Sequence, residues 1–249
     1  MPEDTHKLRR LIEETFSPIA RLKSIRILLV IACSLRIKLY QMDVNGAFLN
    51  GVLLSKEVYV DQPKRFEDPK FPNHIYKLKK SLYGLKQTPK SWYERLTTYL
   101  LEKKFEIRGV ERILFINRSN DELLVAQIYI NDIIFGATFN DLDLSFSNEM
   151  KIEFEISMVG ELTFFLGLQI RELKDEIFFS QSKDARELVK KFNLESSKHS
   201  RTPMSTTTEL SKEASRKDVK QKLYRSMIGS LLYLTMSRLN IFFSVKSLS

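Results

Sequence analysis

Apolar residues recur at Ile19, Leu22, Ile25, Leu28, Leu29 and Ala32, the spacing of one face of a helix. Ser17-Pro18 just before them reads as an N-cap followed by proline at the first helical position. The period then changes. "RIKLYQMDV" reads as a strand ending at Asp43, and "EVYVDQP" and "IYKLKKSL" are strand-like, the second alternating apolar with basic residues. After Pro89, "KSWYERLTTYLLEKKF" has the pattern of an amphipathic helix. "RILFINRSNDELLVAQIYINDIIFG" is a run of β-rich pieces broken at Ser119-Asn120-Asp121 and at Asn131-Asp132. Asn140 is placed to cap a helix running through Phe154. "LTFFLGLQIREL" and "EIFFSQ" are matched for pairing across Lys174-Asp175, and "KDARELVKKFNL" is again helical. A polar stretch, "HSRTPMSTTTELSKEASRKDVKQK", reads as a linker or loop before "LYRSMIGSLLYLTMS" resumes a helical pattern. Helices mixed with mainly antiparallel strands, without a βαβ rhythm, predict an α+β fold.

Composition narrows this picture only modestly. The chain has 249 residues, enough for one large domain or two small ones. Its longest apolar run, "ILLVIAC" at residues 27–33, is too short to cross a bilayer, and "MPEDTHKLRR" has no signal-peptide pattern. The single cysteine, Cys33, falls in that run and is expected in the core; it offers neither a disulfide framework nor a zinc pattern. These features point to an intracellular protein without a membrane partner.

Charge changes the picture more. The net charge is +9, and residues 64 to 108 hold 12 Lys/Arg against 5 Asp/Glu. Phe66, Tyr76, Tyr83, Trp92, Tyr93 and Tyr99 are interleaved with them. Such a stretch is either a solvated basic face or a surface for a polyanion whose bases stack.

Two acids stand in apolar strand surroundings: Asp43 in "YQMDVNGAFLNG" and Asp132 in "YINDIIFG". Magnesium takes hard oxygen ligands, commonly one or two protein carboxylates with substrate phosphates completing the shell. Two ions held by such acids stabilise the attacking and leaving oxygens of a phosphoryl transfer. Taken singly, each Asp reads more readily as a strand-end or turn residue than as a metal ligand, and periodicity does not bring the two together.

Eight blocks in order make the chain resemble one family. They are "EETFSPIARLKSIRILL", "YQMDVNGAFLNG", "EVYVDQP", "YKLKKSLYGLKQTPKSWYERL", "IYINDIIFG", "MVGELTFFLGLQI", "FSQSKDARELVKKF" and "YRSMIGSLLYLTMSR". Across residues 12–245 the chain is similar to the reverse transcriptase domain of copia-type LTR retrotransposon Pol polyproteins. The resemblance implies a right-handed polymerase fold with a mainly antiparallel palm sheet, partial fingers and a helical thumb. Its implied segments are a shortened N-terminal piece at 1–15, fingers and palm at 16–160, and a primer-grip hairpin with the start of the thumb at 161–200. A polar linker at 201–222 and a C-terminal helical segment at 223–249 follow, ending before ribonuclease H.

By the same resemblance Asp43 is the first catalytic aspartate, assisted by the Val44 carbonyl, and Asp43 and Asp132 hold Mg2+ or Mn2+. Phe48 matches the aromatic beneath the sugar of the incoming nucleotide, where its bulk excludes a 2′-hydroxyl. Gln87 matches the glutamine that positions nucleotide and template, and Leu166 with Gly167 occupy the primer grip. Lys77, Lys79, Lys80, Lys86 and Lys90 are candidate phosphate contacts, or residues of a solvated strand and loop. The implied partners are an RNA template, a DNA primer and dNTP, with integrase and ribonuclease H regions elsewhere in the polyprotein, in cytoplasmic virus-like particles.

The chain departs from the family pattern at its centre. The motif is aromatic, any residue, Asp, Asp; Tyr129, Ile130 and Asp132 match, but Asn131 stands where the metal-ligating Asp belongs. "QPKRF" replaces the usual "QPPGF", Leu239-Asn240 replaces Pro-Asp, and the basic fingers stretch ahead of "EETFSPIARL" is not matched. The expectation is a polymerase domain by descent with lost or severely reduced activity and weakened metal binding. The alternatives are a non-catalytic module that binds RNA or an RNA–DNA hybrid, and a residually active polymerase.

Overall fold

The computed structural model describes residues 22–52, 57–109, 112–119, 122–173, 176–198 and 220–248. The Ser17-Pro18 cap and most of the polar segment lie outside the described residues. The chain divides into two compact units, residues 1–162 and 163–249.

In the first unit the helical spacing from Leu22 onward becomes α1 (Leu22–Leu35), with Ile25, Leu28, Leu29 and Ala32 buried as the pattern predicts. Cys33 is half-buried, not enclosed in the core. The strands are β1 (Tyr40–Val44), β2 (Tyr59–Asp61), β3 (Ile75–Lys77), β4 (Glu106–Arg108), β5 (Leu114–Ser119), β6 (Glu122–Tyr129), β7 (Asp132–Ala137) and β8 (Ile156–Glu161). Six of them form one sheet in the order β4-β5-β6-β7-β1-β8, and β2 pairs with β3 in a separate two-stranded sheet. Each described strand pair is antiparallel.

The sheet alternates cleanly. Met42 and Val44 of β1, Leu124, Ala126 and Ile128 of β6, and Ile133, Phe135 and Ala137 of β7 point into one core. That core is completed by α2 (Thr88–Glu102), through Trp92, Leu96, Tyr99 and Leu100, and by α3 (Asn140–Glu153), through Phe146 and Met150. Gln41 and Asp43, and Asp132 and Ile134, therefore face the other side. Gly136 on β7 must be glycine because a Cβ there would strike the Lys38 carbonyl and the Ile37 side chain.

Three details differ from the sequence pattern. α2 starts at Thr88, with Pro89 inside its first turn, where proline lacks only an N–H that the helix does not use. The N-cap of α3 is Phe139 in an extended conformation, and Asn140 is already helical. β8 carries no clear alternation in "ISMVGE" and is defined instead by its pairing with β1.

The second unit holds β9 (Phe164–Phe165), β10 (Leu168–Glu172) and β11 (Ile177–Ser180) in the order β11-β10-β9. Its helices are α4 (Ser182–Lys191), α5 (Gln221–Leu234) and α6 (Phe242–Ser247). Ile170 opposite Phe179 and Glu172 opposite Ile177 set the register of β10 against β11. Among the described residues no helix is long and apolar enough to cross a membrane.

Candidate active site

Asp43 and Asp132 meet. The β1–β7 register sets them directly opposite each other, on the sheet face away from the core. Periodicity alone left them unrelated; antiparallel pairing of strands 89 positions apart joins them.

The turn that delivers Asp132 is Ile130-Asn131, so the break falls one residue earlier than the Asn131-Asp132 spacing suggests, and Asp132 is the first residue of β7. Ile130 has φ +55°, the first-position conformation of a primed hairpin turn that usually selects glycine. Two tethers hold the turn there. The Val44 N–H donates to the Asn131 carbonyl at 2.9 Å, and the Trp92 indole N–H donates to the Ile130 carbonyl at 2.7 Å.

Two amide side chains donate to the acids. Asn131 Nδ2 donates to Asp43 Oδ1. This is the only end of the amide that can face an ionised carboxylate, which has acceptors and no donor. Gln41 Nε2 donates to Asp132 Oδ1 at 2.8 Å. Gln41 lies opposite Ile134, which makes it the diagonal neighbour of Asp132 on the same face. Burial holds the Asp132 carboxyl above the ordinary carboxylate range; the Gln41 hydrogen bond opposes this and the charge of Asp43 adds to it.

This donor set fits a divalent cation poorly. Among the described residues no group of three or more His, Cys, Asp or Glu is placed to hold a metal, so the protein's anionic oxygens here are those of Asp43 and Asp132, and each gives one of them to an amide. Asn131 aims donor hydrogens, not a ligand oxygen, at Asp43.

Phe48 sits in a short 3-10 turn (Ala47–Asn50) that follows β1, half-buried against the core, with its ring 5.1 Å from that of Tyr83. Gln87 is the residue before α2 and spends its carbonyl on Ser91 N–H at 3.0 Å. Lys77 is paired with Glu57, which also accepts from Tyr59, and Lys90 lies 3.6 Å from Glu94 one turn along α2. Lys79, Lys80 and Lys86 are exposed and form no ion pair among the described residues. Exposed Phe66, Phe71, Tyr76 and Tyr83 accompany them.

In the second unit Leu166 and Gly167 form the β9–β10 turn, with φ of +45° and +72°. The Tyr233 hydroxyl donates to the Leu166 carbonyl. The positive φ of Gly167 favours glycine, and a Cβ there would displace the Asp184 carboxylate.

Sequence reasoning missed Gln41 and Trp92. Gln41 had a readable signal, a polar residue two positions before a strand aspartate and hence on its face. Trp92 had none, because its partner is 38 residues away.

The comparisons with known proteins agree with one another. The profile of the family described as "Reverse transcriptase (RNA-dependent DNA polymerase)" matches residues 8–206. The Retrovirus-related Pol polyprotein from transposon RE1 of Arabidopsis thaliana is 35% identical across 95% of this chain and 16% of its own length. That from transposon RE2 of the same plant is 33% identical with the same coverage. That from transposon TNT 1-94 of Nicotiana tabacum is 29% identical across 89% of this chain and 17% of its own length. The chain thus spans about a sixth of the length of these relatives. No solved structure matches it. With its family profile matched over most of the chain, this protein belongs to the reverse transcriptase domains of copia-type retrotransposon Pol polyproteins.

Proposed function

We propose that this chain is an RNA-directed DNA polymerase domain by descent, in which nucleotide addition is lost or severely weakened at Asn131. The observation that carries the reading is the Asn131 amide donating to Asp43, beside Asp132, where the family motif has a second adjacent acid. In this reading the six-stranded sheet is the palm, β2 and β3 belong to partial fingers, α4 to the start of a thumb, and α5 to the C-terminal helical segment that follows. Phe48, braced by Tyr83, walls the sugar pocket against a 2′-hydroxyl. Gln87 and the Val44 carbonyl border the incoming dNTP, and the Leu166-Gly167 turn grips the primer end. RNA template and DNA primer are the partners, in an intracellular particle with the ribonuclease H and integrase of a longer polyprotein.

Primer extension on an RNA template, run with magnesium or manganese on the unaltered chain and on Asn131→Asp, tests this. Charge stabilisation at such a centre is worth several kcal/mol, and about 1.4 kcal/mol is tenfold in rate. Asn131→Asp is therefore expected to raise extension by roughly tenfold or more. Extension by the unaltered chain as fast as by the variant would overturn the reading. Asp43→Asn should abolish whatever extension Asn131→Asp restores.

A second reading is favoured by the exposed Lys79, Lys80 and Lys86 with their aromatic neighbours. Binding of RNA or an RNA–DNA hybrid needs these groups and not the acids, so a binding module can outlast catalysis.

A further inference from the structure

Each acid of the candidate site accepts a hydrogen bond from a side chain of this protein. Asp43 accepts from Asn131, and Asp132 accepts from Gln41 at 2.8 Å. All four residues share one patch: Asp43 opposite Asp132, Gln41 two residues before Asp43 on the same strand face, and Asn131 in the turn just ahead of Asp132.

Like charges directly opposite each other on paired strands destabilise the pair. A site built for dications leaves that repulsion for the ions to cancel. Here each carboxylate instead receives a hydrogen bond in which the acceptor is ionised, roughly twice the strength of a neutral one. The donors are neutral, so they satisfy the acids without adding charge. They also occupy Oδ1 of each carboxylate, and neither amide hydrogen can coordinate a cation. The Asn131 bond is supported by the tethered turn, since Asn131 gives its own carbonyl to Val44 N–H at 2.9 Å.

We propose that Gln41 and Asn131 form an amide lock that holds Asp43 and Asp132 together without a metal ion. Gln41 is the positioning residue for Asp132, and Asn131 the positioning residue for Asp43. The inference rests on the reading of this patch as a former metal centre and adds a consequence to it: the residue that weakens catalysis stabilises the metal-free fold.

Thermal unfolding of the full chain in chelator and in manganese tests the lock, with no primer–template in the assay. The unaltered chain is expected to melt at the same temperature in both conditions. Asn131→Asp and Gln41→Glu keep the size of the side chain but exchange a donor for a third carboxylate. Each is expected to melt several degrees lower in chelator. Manganese at about a hundred times its dissociation constant then raises their melting point by roughly 5 to 10 °C. Gln41→Met removes the donor without adding charge, and its melting point falls equally in both conditions. A merely structural role for Gln41 would give the glutamate variant that same metal-independent loss.

A manganese response of the unaltered chain as large as that of the variants overturns the lock. So does an Asn131→Asp variant as stable in chelator as the unaltered chain. If both acid variants fail to fold in either condition, Asn131→Ala decides, and no loss of stability there overturns the proposal. Because unfolding does not depend on polymerisation, failure of the lock leaves the polymerase reading standing, and failure of the extension assay leaves the lock standing.

Discussion

At Ile130 a β-branched residue takes a positive φ that costs on the order of 1–3 kcal/mol. Its side chain is half-exposed, so burial does not offset that cost. The hydrogen bonds on the flanking carbonyls do, and the more demanding of them comes from Trp92, only 1% exposed and packed edge-on to Phe154 at 5.3 Å. Trp92→Phe keeps an aromatic in the core but removes the indole donor and part of the packing. It is expected to lower the unfolding free energy by about 2–4 kcal/mol, measured by urea titration. A loss below about 0.5 kcal/mol would show that the turn holds without this tether.

At the scale of one helix, α3 presents Asp143, Phe146, Ser147 and Met150 as its buried stripe, which places a carboxylate where an apolar residue is expected. Asp143 is 4% exposed and neither carboxylate oxygen has a hydrogen-bond partner. The Ala137 backbone favours its charged form but falls short of hydrogen-bond geometry. Burial pushes its pKa from the ordinary 3.8 up to about 6. The folded state thus holds a proton that the unfolded state releases, and stability falls as pH rises from about 4 to 6. Asp143→Asn mimics the protonated carboxyl. Its advantage over the unaltered chain should be near zero at pH 4 and grow to on the order of 3 kcal/mol at pH 8. Equal unfolding free energies of the two proteins at pH 8 would refute the burial argument.

Across the whole molecule, charge separates the nucleic-acid reading from a plain solvated face. Lys77 and Lys90 are engaged by Glu57 and Glu94, whereas Lys79, Lys80 and Lys86 are not so paired. The three are therefore the ones to test together. Substituting all three with alanine should weaken binding to a labelled RNA–DNA hybrid uniformly across sequences. It should also reduce the slope of log affinity against log salt by about 2–3, each lost phosphate contact removing roughly 0.7–0.9. Fluorescence anisotropy over a salt series measures both. An unchanged slope would assign these lysines to solvent.

Local patterning in the sequence determined the elements: the alternating run before Asp43 became β1, the β-rich pieces between turn signals became β5 to β7, and period-3.6 runs became α1, α2, α4 and α5. It also marked Asn131 as a departure from the family motif, because a motif is a local spacing and a single substitution is visible in it. What local spacing cannot encode is a contact between strands far apart in the chain. The opposition of Asp43 to Asp132, the reach of Trp92 to the turn and the approach of Gln41 to Asp132 all depend on which strand pairs with which, and in what register. β8 went unread for the same reason, since its pairing with β1 and not its own pattern defines it. Only the tertiary structure revealed where the Asn131 side chain goes, because its amide turns inward to the acid on the neighbouring strand.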